Sequence, residues 1–299
     1  MIISEYSHLD ESQTSAVFAL IQLAQDVDLQ SPLSEHVLLH LKHGGDFRAH
    51  HLLGLEDDQI IGYVHLDSTD EVAGPSAQVV VHPEFRNLGH GKQLLHSALS
   101  LAGEKLRLWS HGENTLARML AESVGMKEVR TLFQMRRSLL SAIEPATFPE
   151  NYDLKIFNAQ TDQNAWLAAN QLIFQEHHEQ GTWTLRDFEI RMKEEWFDPS
   201  GFFILRADGQ IAGFAWTKVH SHSHGHDHMP LGEIYVLGVS PEHRSRGLGK
   251  ALTLHCLLYL RSLGLLEAML YVNKDDASAR ALYESCGFRI WDVDTLYSF

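Results

Sequence analysis

No stretch of this chain approaches the ~18 uninterrupted apolar residues of a membrane span. Its start, Met1-Ile2-Ile3-Ser4-Glu5, shows no basic segment followed by an apolar one. Neither a signal peptide nor a membrane span is therefore expected. Cysteine is scarce: Cys256 and Cys286 are the only two in 299 residues, and they form no C-x-x-C pair. Two reduced thiols in a cytoplasmic protein are the expectation. Basic residues are also in deficit, 24 against 39 acidic ones, for a formal charge of -15. That balance repels a phosphate backbone and argues against a general nucleic-acid role, although a local basic patch could still hold a phosphorylated cofactor.

What is present is enough for two cores. At roughly 150 residues per domain the length suggests two domains, and 44% hydrophobic residues can fill both. An internal repeat supports the division. Val239, Pro241, Arg244, Gly247 and Gly249 each follow Val81, Pro83, Arg86, Gly89 and Gly91 by 158 residues. Farther on, Glu284-Ser285-Cys286-Gly287-Phe288 follows Glu122-Ser123-Val124-Gly125-Met126 by 162. Ser138 to Asn151, with Pro145 and Pro149, reads as a linker, so the boundary is placed near residue 145, between domains spanning 1–140 and 150–299.

Each copy reads as a helical first third, two or three strands, a glycine turn, a long helix, a strand and a closing helix. In the second copy, Leu252, Cys256, Leu257 and Leu260 predict a helix from about Gly249 to Ser262. Leu270-Tyr271-Val272 reads as the next strand, and Ala277 to Ser285 as a helix ended by Gly287.

A strand feeding Arg-x-x-Gly-x-Gly and then a helix suits an anion. Glycine lets a ligand approach the backbone, and the first helical N–H groups point at negative charge. Arg244 and Arg246 would add positive charge beside a diphosphate. A Rossmann site is rejected, because the turn comes late in each copy and has no third glycine; a P-loop fails because neither turn ends in Gly-Lys-Ser/Thr.

These residues resemble the GNAT acetyltransferase superfamily, most closely along Val239-Ser240-Pro241-Glu242-His243-Arg244-Ser245-Arg246-Gly247-Leu248-Gly249-Lys250 and Ala281 to Phe288. Glu176 to Thr184, Trp216 to His220, Leu231 to Val239 and Val293 to Tyr297 extend the likeness to the mycothiol-making tandem GNAT enzymes of actinobacteria. The resemblance implies two α/β GNAT domains with a mixed sheet. It also implies acetyl transfer from acetyl-CoA to the cysteinyl amine of Cys-GlcN-Ins, a small pseudodisaccharide, by a monomer that needs no metal.

It further implies acetyl-CoA contacts at Val79, Val80, Val81, Arg86, Asn87, Leu88, Gly89, His90 and Gly91 in the first copy. In the second copy the implied contacts are Leu237, Gly238, Val239, Arg244, Ser245, Arg246, Gly247, Leu248, Gly249, Lys250, Asp276, Ala277, Ser278, Ala279 and Arg280. Substrate contacts fall to Glu35, Glu179, Lys218, Glu233 and Tyr271.

Glu233 is the implied general base and Tyr283 the implied proton donor to the departing thiolate. Read without the resemblance, Glu233 is a solvated charge at a strand end, Tyr283 a packed helical tyrosine, and Glu35 and Glu179 solvated helix charges. At the local offsets the first copy has Pro75 for Glu233 and Ala121 for Tyr283, so it is expected to bind acetyl-CoA without turning it over. The alternating His220, His222, His224, His226 and His228 could ligate a metal, but a low-complexity insertion between two strands is the simpler reading. Rival readings are a tandem GNAT acting on an aminoglycoside or a protein N-terminus, and an acyl-CoA-binding module without turnover.

Overall fold

The computed structural model describes residues 1–44, 48–68, 74–175, 180–220 and 230–299. The chain forms two compact units. Unit 1 holds β1 (Ile2–Tyr6), α1 (Glu11–Asp28), α2 (Glu35–His43), β2 (Ala49–Glu56), β3 (Gln59–Asp67), β4 (Ser76–Val81), α3 (His90–Ala102), β5 (Arg107–Ser110) and α4 (Thr115–Glu122). Strand β6 (Lys127–Ser138) leads out of it. Unit 2 continues with β7 (Asp153–Ile156), α5 (Gln163–Ile173), α6 (Leu185–Met192), β8 (Phe202–Ala207), β9 (Gln210–His220), β10 (Leu231–Val239), α7 (Leu248–Ser262), β11 (Glu267–Asn273) and α8 (Ala277–Ser285), before β12 (Arg289–Ser298).

The division is not a single cut near residue 145. Unit 2 takes the chain from Phe133 to Trp291, while Asp292–Phe299 return to unit 1. The reason is an open strand edge, which needs a pairing partner. In unit 1, Thr295, Leu296 and Tyr297 of β12 pair antiparallel with Ser110, Trp109 and Leu108 of β5.

Within each unit four antiparallel strands are followed by one parallel pair, β4–β5 or β10–β11, joined through α3 or α7. Local chemistry repeats as well. Both hairpins, β2–β3 and β8–β9, turn through two residues of positive φ: Asp57 and Asp58 in one, Asp208 and Gly209 in the other, the backbone a tight two-residue turn demands. Asn114 and Asp276 cap α4 and α8 alike, accepting from the backbone N–H of Ala117 at 3.0 Å and of Ala279 at 2.8 Å.

Helix α7 buries Leu252, Cys256, Leu257 and Leu260 on one face, as its 3.6-residue spacing predicts. On its other face the unit 2 sheet carries an aromatic core. Trp166 of α5 and Phe188 of α6 are fully buried with Phe202, Phe214 and Trp216, and the Phe202 and Trp216 rings stack at 4.7 Å. Among the described residues no helix is long and apolar enough to cross a membrane.

Candidate active site

Strand β10 is built to leave one edge open. Its register against β9 runs evenly from Leu231↔His220 to Ile234↔Thr217, then resumes at Val236↔Trp216, so Tyr235 is an extra, bulged residue. On its other side β10 pairs with β11 only at Gly232↔Ala268 and Glu233↔Met269. Past Glu233 the backbone groups facing β11 have no strand partner among the described residues, and such groups call for one. An extended chain bearing amides can supply it by adding itself as a strand; the pantetheine arm of acetyl-CoA is such a chain.

The strand ends in an anion cradle. Ser245 (φ 61°) and Gly247 (φ 78°) hold the left-handed backbone, and α7 then begins with no side-chain cap on its first N–H groups. At Gly249 an added Cβ would come within 2.8 Å of Leu282, so α7 and α8 approach through this glycine. The arginines also have work inside the chain. Arg244 Nε donates to the Val239 carbonyl at 3.4 Å, and Arg246 donates to the Tyr152 hydroxyl at 3.1 Å and the Glu242 carbonyl at 3.2 Å. Lys250 pairs with Glu144 at 2.7 Å.

Unit 1 repeats the cradle, with Asn87 (φ 63°) and Gly89 (φ 88°) before α3. Arg86 again donates to the strand-end carbonyl, here Val81 at 3.1 Å, and is also gripped by both oxygens of Asp28 at 2.6 and 2.8 Å.

The register corrects one point of the internal comparison. Because the bulge adds a residue to β10 and none to β4, Glu233, which pairs with Lys218, corresponds to Ser76, which pairs with Asp67. Pro75 lies one place earlier. Neither serine nor proline offers a carboxylate. Ala121 stands where α8 has Tyr283, and it is fully buried. Unit 1 differs in its backbone too: β4 and β5 stay paired through Gln78↔Trp109. Buried side chains join one another at the end of this pairing. Gln78 Oε1 accepts from the Ser34 backbone N–H at 2.6 Å and lies 3.1 Å from His111 Nε2, whose other ring nitrogen lies 3.0 Å from Asp294.

In unit 2, Glu233 is 6% exposed and Lys218 7%. His220 Nε2 lies 2.8 Å from Glu233 Oε2. Burial on its own would raise the Glu233 carboxyl, but the hydrogen bond from His220, the charge of His220 and the charge of Lys218 together hold it below its ordinary value. Glu233 is therefore a buried carboxylate at neutral pH rather than a solvated strand end. Lys218 Nζ sits 4.6 Å from the Trp196 ring centre. Arg191 of α6, 4% exposed, stacks on Trp183 and donates to the Tyr235 hydroxyl at 2.8 Å, fixing the bulged residue.

Tyr283 lies in the last turn of α8 against the α7 core, and its hydroxyl has no hydrogen-bond partner among the described residues. Burial first, then nearby Asp276, pushes its phenol up, so it stays protonated. Tyr271 on β11 is more open, and its hydroxyl accepts from Gln134 Nε2 at 2.8 Å. Glu35 opens α2 in unit 1. Glu179 and His222 to His228 lie outside the described residues. No group of three metal-binding side chains converges among the described ones.

Sequence reasoning missed His220 as Glu233's partner. The signal was the alternation Lys218-Val219-His220: in a β9–β10 hairpin it puts both side chains on the face of Glu233, one directly across and one on the diagonal.

The described geometry is matched by relatives. A model of the acetyltransferase (GNAT) family matches residues 166–288, and a GNAT domain model matches 48–125. The mycothiol acetyltransferase of Acidothermus cellulolyticus is 46% identical, over 99% of this chain and 94% of its own length. That of Streptosporangium roseum is 42% identical, over 99% and 98%. Among solved structures, a tandem GNAT protein from the clavulanic acid biosynthesis pathway superposes with a TM-score of 0.74 at 16% identity, covering 99% of this chain and 97% of that one. A GCN5-related N-acetyltransferase from Sphaerobacter thermophilus gives 0.69 at 21%, covering 99% and 94%; at these identities the likeness is one of fold. The chain belongs to the mycothiol acetyltransferase family of tandem GNAT proteins and is an acetyl-CoA-dependent N-acetyltransferase.

Proposed function

We propose that this chain moves the acetyl group of acetyl-CoA onto the cysteinyl amine of Cys-GlcN-Ins, giving mycothiol and CoA, and that unit 2 alone does so. The observation that carries this is the buried Glu233 at the last position of β10 paired with β11, immediately before that edge opens. An α-amino group titrates near 7.7–8.0, so at neutral pH it arrives mostly as an ammonium ion. Glu233 takes that proton, and the freed amine attacks the thioester carbonyl. A backbone N–H within Leu237 to Val239 would polarise the carbonyl oxygen. As the C–S bond breaks, the Tyr283 hydroxyl hydrogen-bonds the leaving sulfur, and the second proton shed by the acylated nitrogen passes through solvent to the CoA thiolate. Because its phenol is pushed up, stabilising the thiolate by a hydrogen bond is easier than complete proton transfer.

Lys218 favours this substrate over an aminoglycoside, since a fixed ammonium beside the base repels a polycation and hydrogen-bonds sugar and inositol hydroxyls. Thiol release from acetyl-CoA, measured with Cys-GlcN-Ins, with aminoglycosides and with N-terminal peptides, tests the reading. Rapid release only with Cys-GlcN-Ins is expected; turnover of another amine and none of Cys-GlcN-Ins would overturn it.

The idle state of unit 1 follows on this reading from a β4–β5 pairing that runs two positions further than β10–β11, as much as from absent side chains. Ser76→Glu with Ala121→Tyr, placed in a Glu233→Gln chain, is expected to restore no thiol release. Position 121 is tightly packed, so Ser76→Glu alone and a thermal melt serve as folding controls. Recovery of even a small share of the original activity would show that side chains alone silence unit 1.

A further inference from the structure

We propose that His220 is a positioning residue for Glu233: its Nε2–H occupies Oε2, keeps the buried carboxyl ionised and turns Oε1 toward the incoming ammonium. This rests on the reading of Glu233 as the base.

Three observations meet at this pair. Glu233 is enclosed, and an isolated buried carboxylate is costly unless it is hydrogen-bonded. Its hydrogen-bond partner among the described residues is a single imidazole nitrogen, 2.8 Å from one oxygen. The histidine sits on the last residue of β9, and the hairpin register fixes it diagonally across from Glu233.

Among the described residues, few charged groups are set against Glu233. On β9 they are Lys218, directly opposite, and His220. On β11 the paired residue is uncharged Met269. Arg191 of α6 is turned to Tyr235 and Trp183 instead. Lys218 spreads its charge over the Trp196 and Tyr235 rings, 4.6 and 5.5 Å away. Among the described residues the directional bond to the carboxylate is thus the histidine's, and without it burial works against ionisation while the through-space pull of Lys218 opposes.

A base that must be a carboxylate before it can act shows its ionisation in the acid limb of kcat/KM. His220→Ala is expected to move that limb upward by about one pH unit or more and to lower kcat at neutral pH by about tenfold, with the affinity for acetyl-CoA unchanged. His220→Gln, whose amide N–H can reach the same oxygen, should recover most of both losses. In parallel, the Glu233 carboxyl carbon is followed by NMR on 13C-labelled protein without substrate, its signal assigned by its disappearance in Glu233→Gln. The same upward displacement is expected there in His220→Ala.

An unmoved carboxyl titration in His220→Ala overturns the proposal, whatever happens to turnover. A moved titration in a protein that acetylates no Cys-GlcN-Ins leaves the pairing intact and sinks the substrate reading instead. A lowered kcat with an unchanged acid limb, or a glutamine variant no better than alanine, would reduce His220 to general support of the hairpin and also overturn it.

Discussion

Glu233→Gln should cut turnover at pH 7 by about 10²- to 10⁴-fold, the range of positioned general bases, without changing how tightly acetyl-CoA binds. Glutamine fills the same volume, and its carbonyl can still accept from His220, so the pocket has no reason to collapse. The turn at Ser245 to Gly249, the proposed cofactor cradle, lies beyond the far end of β10. What glutamine cannot do is take a proton from the ammonium. The deficit should therefore shrink as pH rises past the amine's own range of about 7.7–8.0, where solvent deprotonates the nucleophile unaided. Thiol-release kinetics from pH 6 to 9, with acetyl-CoA binding by calorimetry, would show both effects. A loss of constant size across that range, or an equal fall in acetyl-CoA affinity, would mean that Glu233 supports the strand rather than the reaction.

Much of this arrangement could be read from the residues, for definite reasons. The glycine turns were visible because positive φ and close helix approach restrict the choice at Gly247 and Gly249, and a duplicated restriction leaves a duplicated pattern. The bulge at Tyr235 left no such mark. A bulge inserts one residue of any type, so a constant offset of 158 pointed to Pro75 when the sheet pairs Ser76 in that place. The strand exchanged into unit 1 was equally hidden. The alternation of β12 is satisfied beside any apolar strand edge, and nothing local states which unit provides it. Glu233 itself looked like a surface charge, because a lone carboxylate at a strand start is ordinary. Its burial follows only once Lys218 and His220 are seen on the same sheet face.

The same register exposes a difference between the two cores that neither sequence pattern nor family likeness announces. Gly62 in β3 and Gly213 in β9 are equivalent, and at the same offset of 151 His51, Tyr63 and His65 stand where unit 2 has Phe202, Phe214 and Trp216. Both copies keep the cross-strand pair: His51↔His65 in one, Phe202↔Trp216 in the other. Unit 1 thus carries imidazoles in the place of an aromatic stack. His51 Nδ1 lies 2.7 Å from the Tyr63 hydroxyl, while His65, 1% exposed, has an Nε2 atom with no hydrogen-bond partner.

Burial lowers His51 from 6.5 to about 4, with His8 and His50 adding to the effect. His65 is lowered as well, by burial first and then by His51 and His40; Asp67 opposes, and His36 adds a smaller lowering push. Unfolded, each histidine titrates near 6.5. Between that value and the folded one the unfolded chain binds more protons, so unfolding becomes easier as pH falls through the window.

From pH 7 to pH 5, unit 1 should accordingly lose about 2 kcal/mol or more of stability. Unit 2, with phenyl and indole rings at the same places, should not lose stability from this source. Amide hydrogen exchange followed through the β2–β3 and β8–β9 peptides, corrected for the intrinsic effect of pH, separates the two. His65→Phe keeps an aromatic ring and removes the orphaned nitrogen, so it should shrink the response of β2–β3, and His51→Phe added to it should remove most of what is left. Equal protection of β2–β3 at the two pH values in the unaltered protein would show that these histidines do not resist protonation, and the polar core of unit 1 would need another explanation.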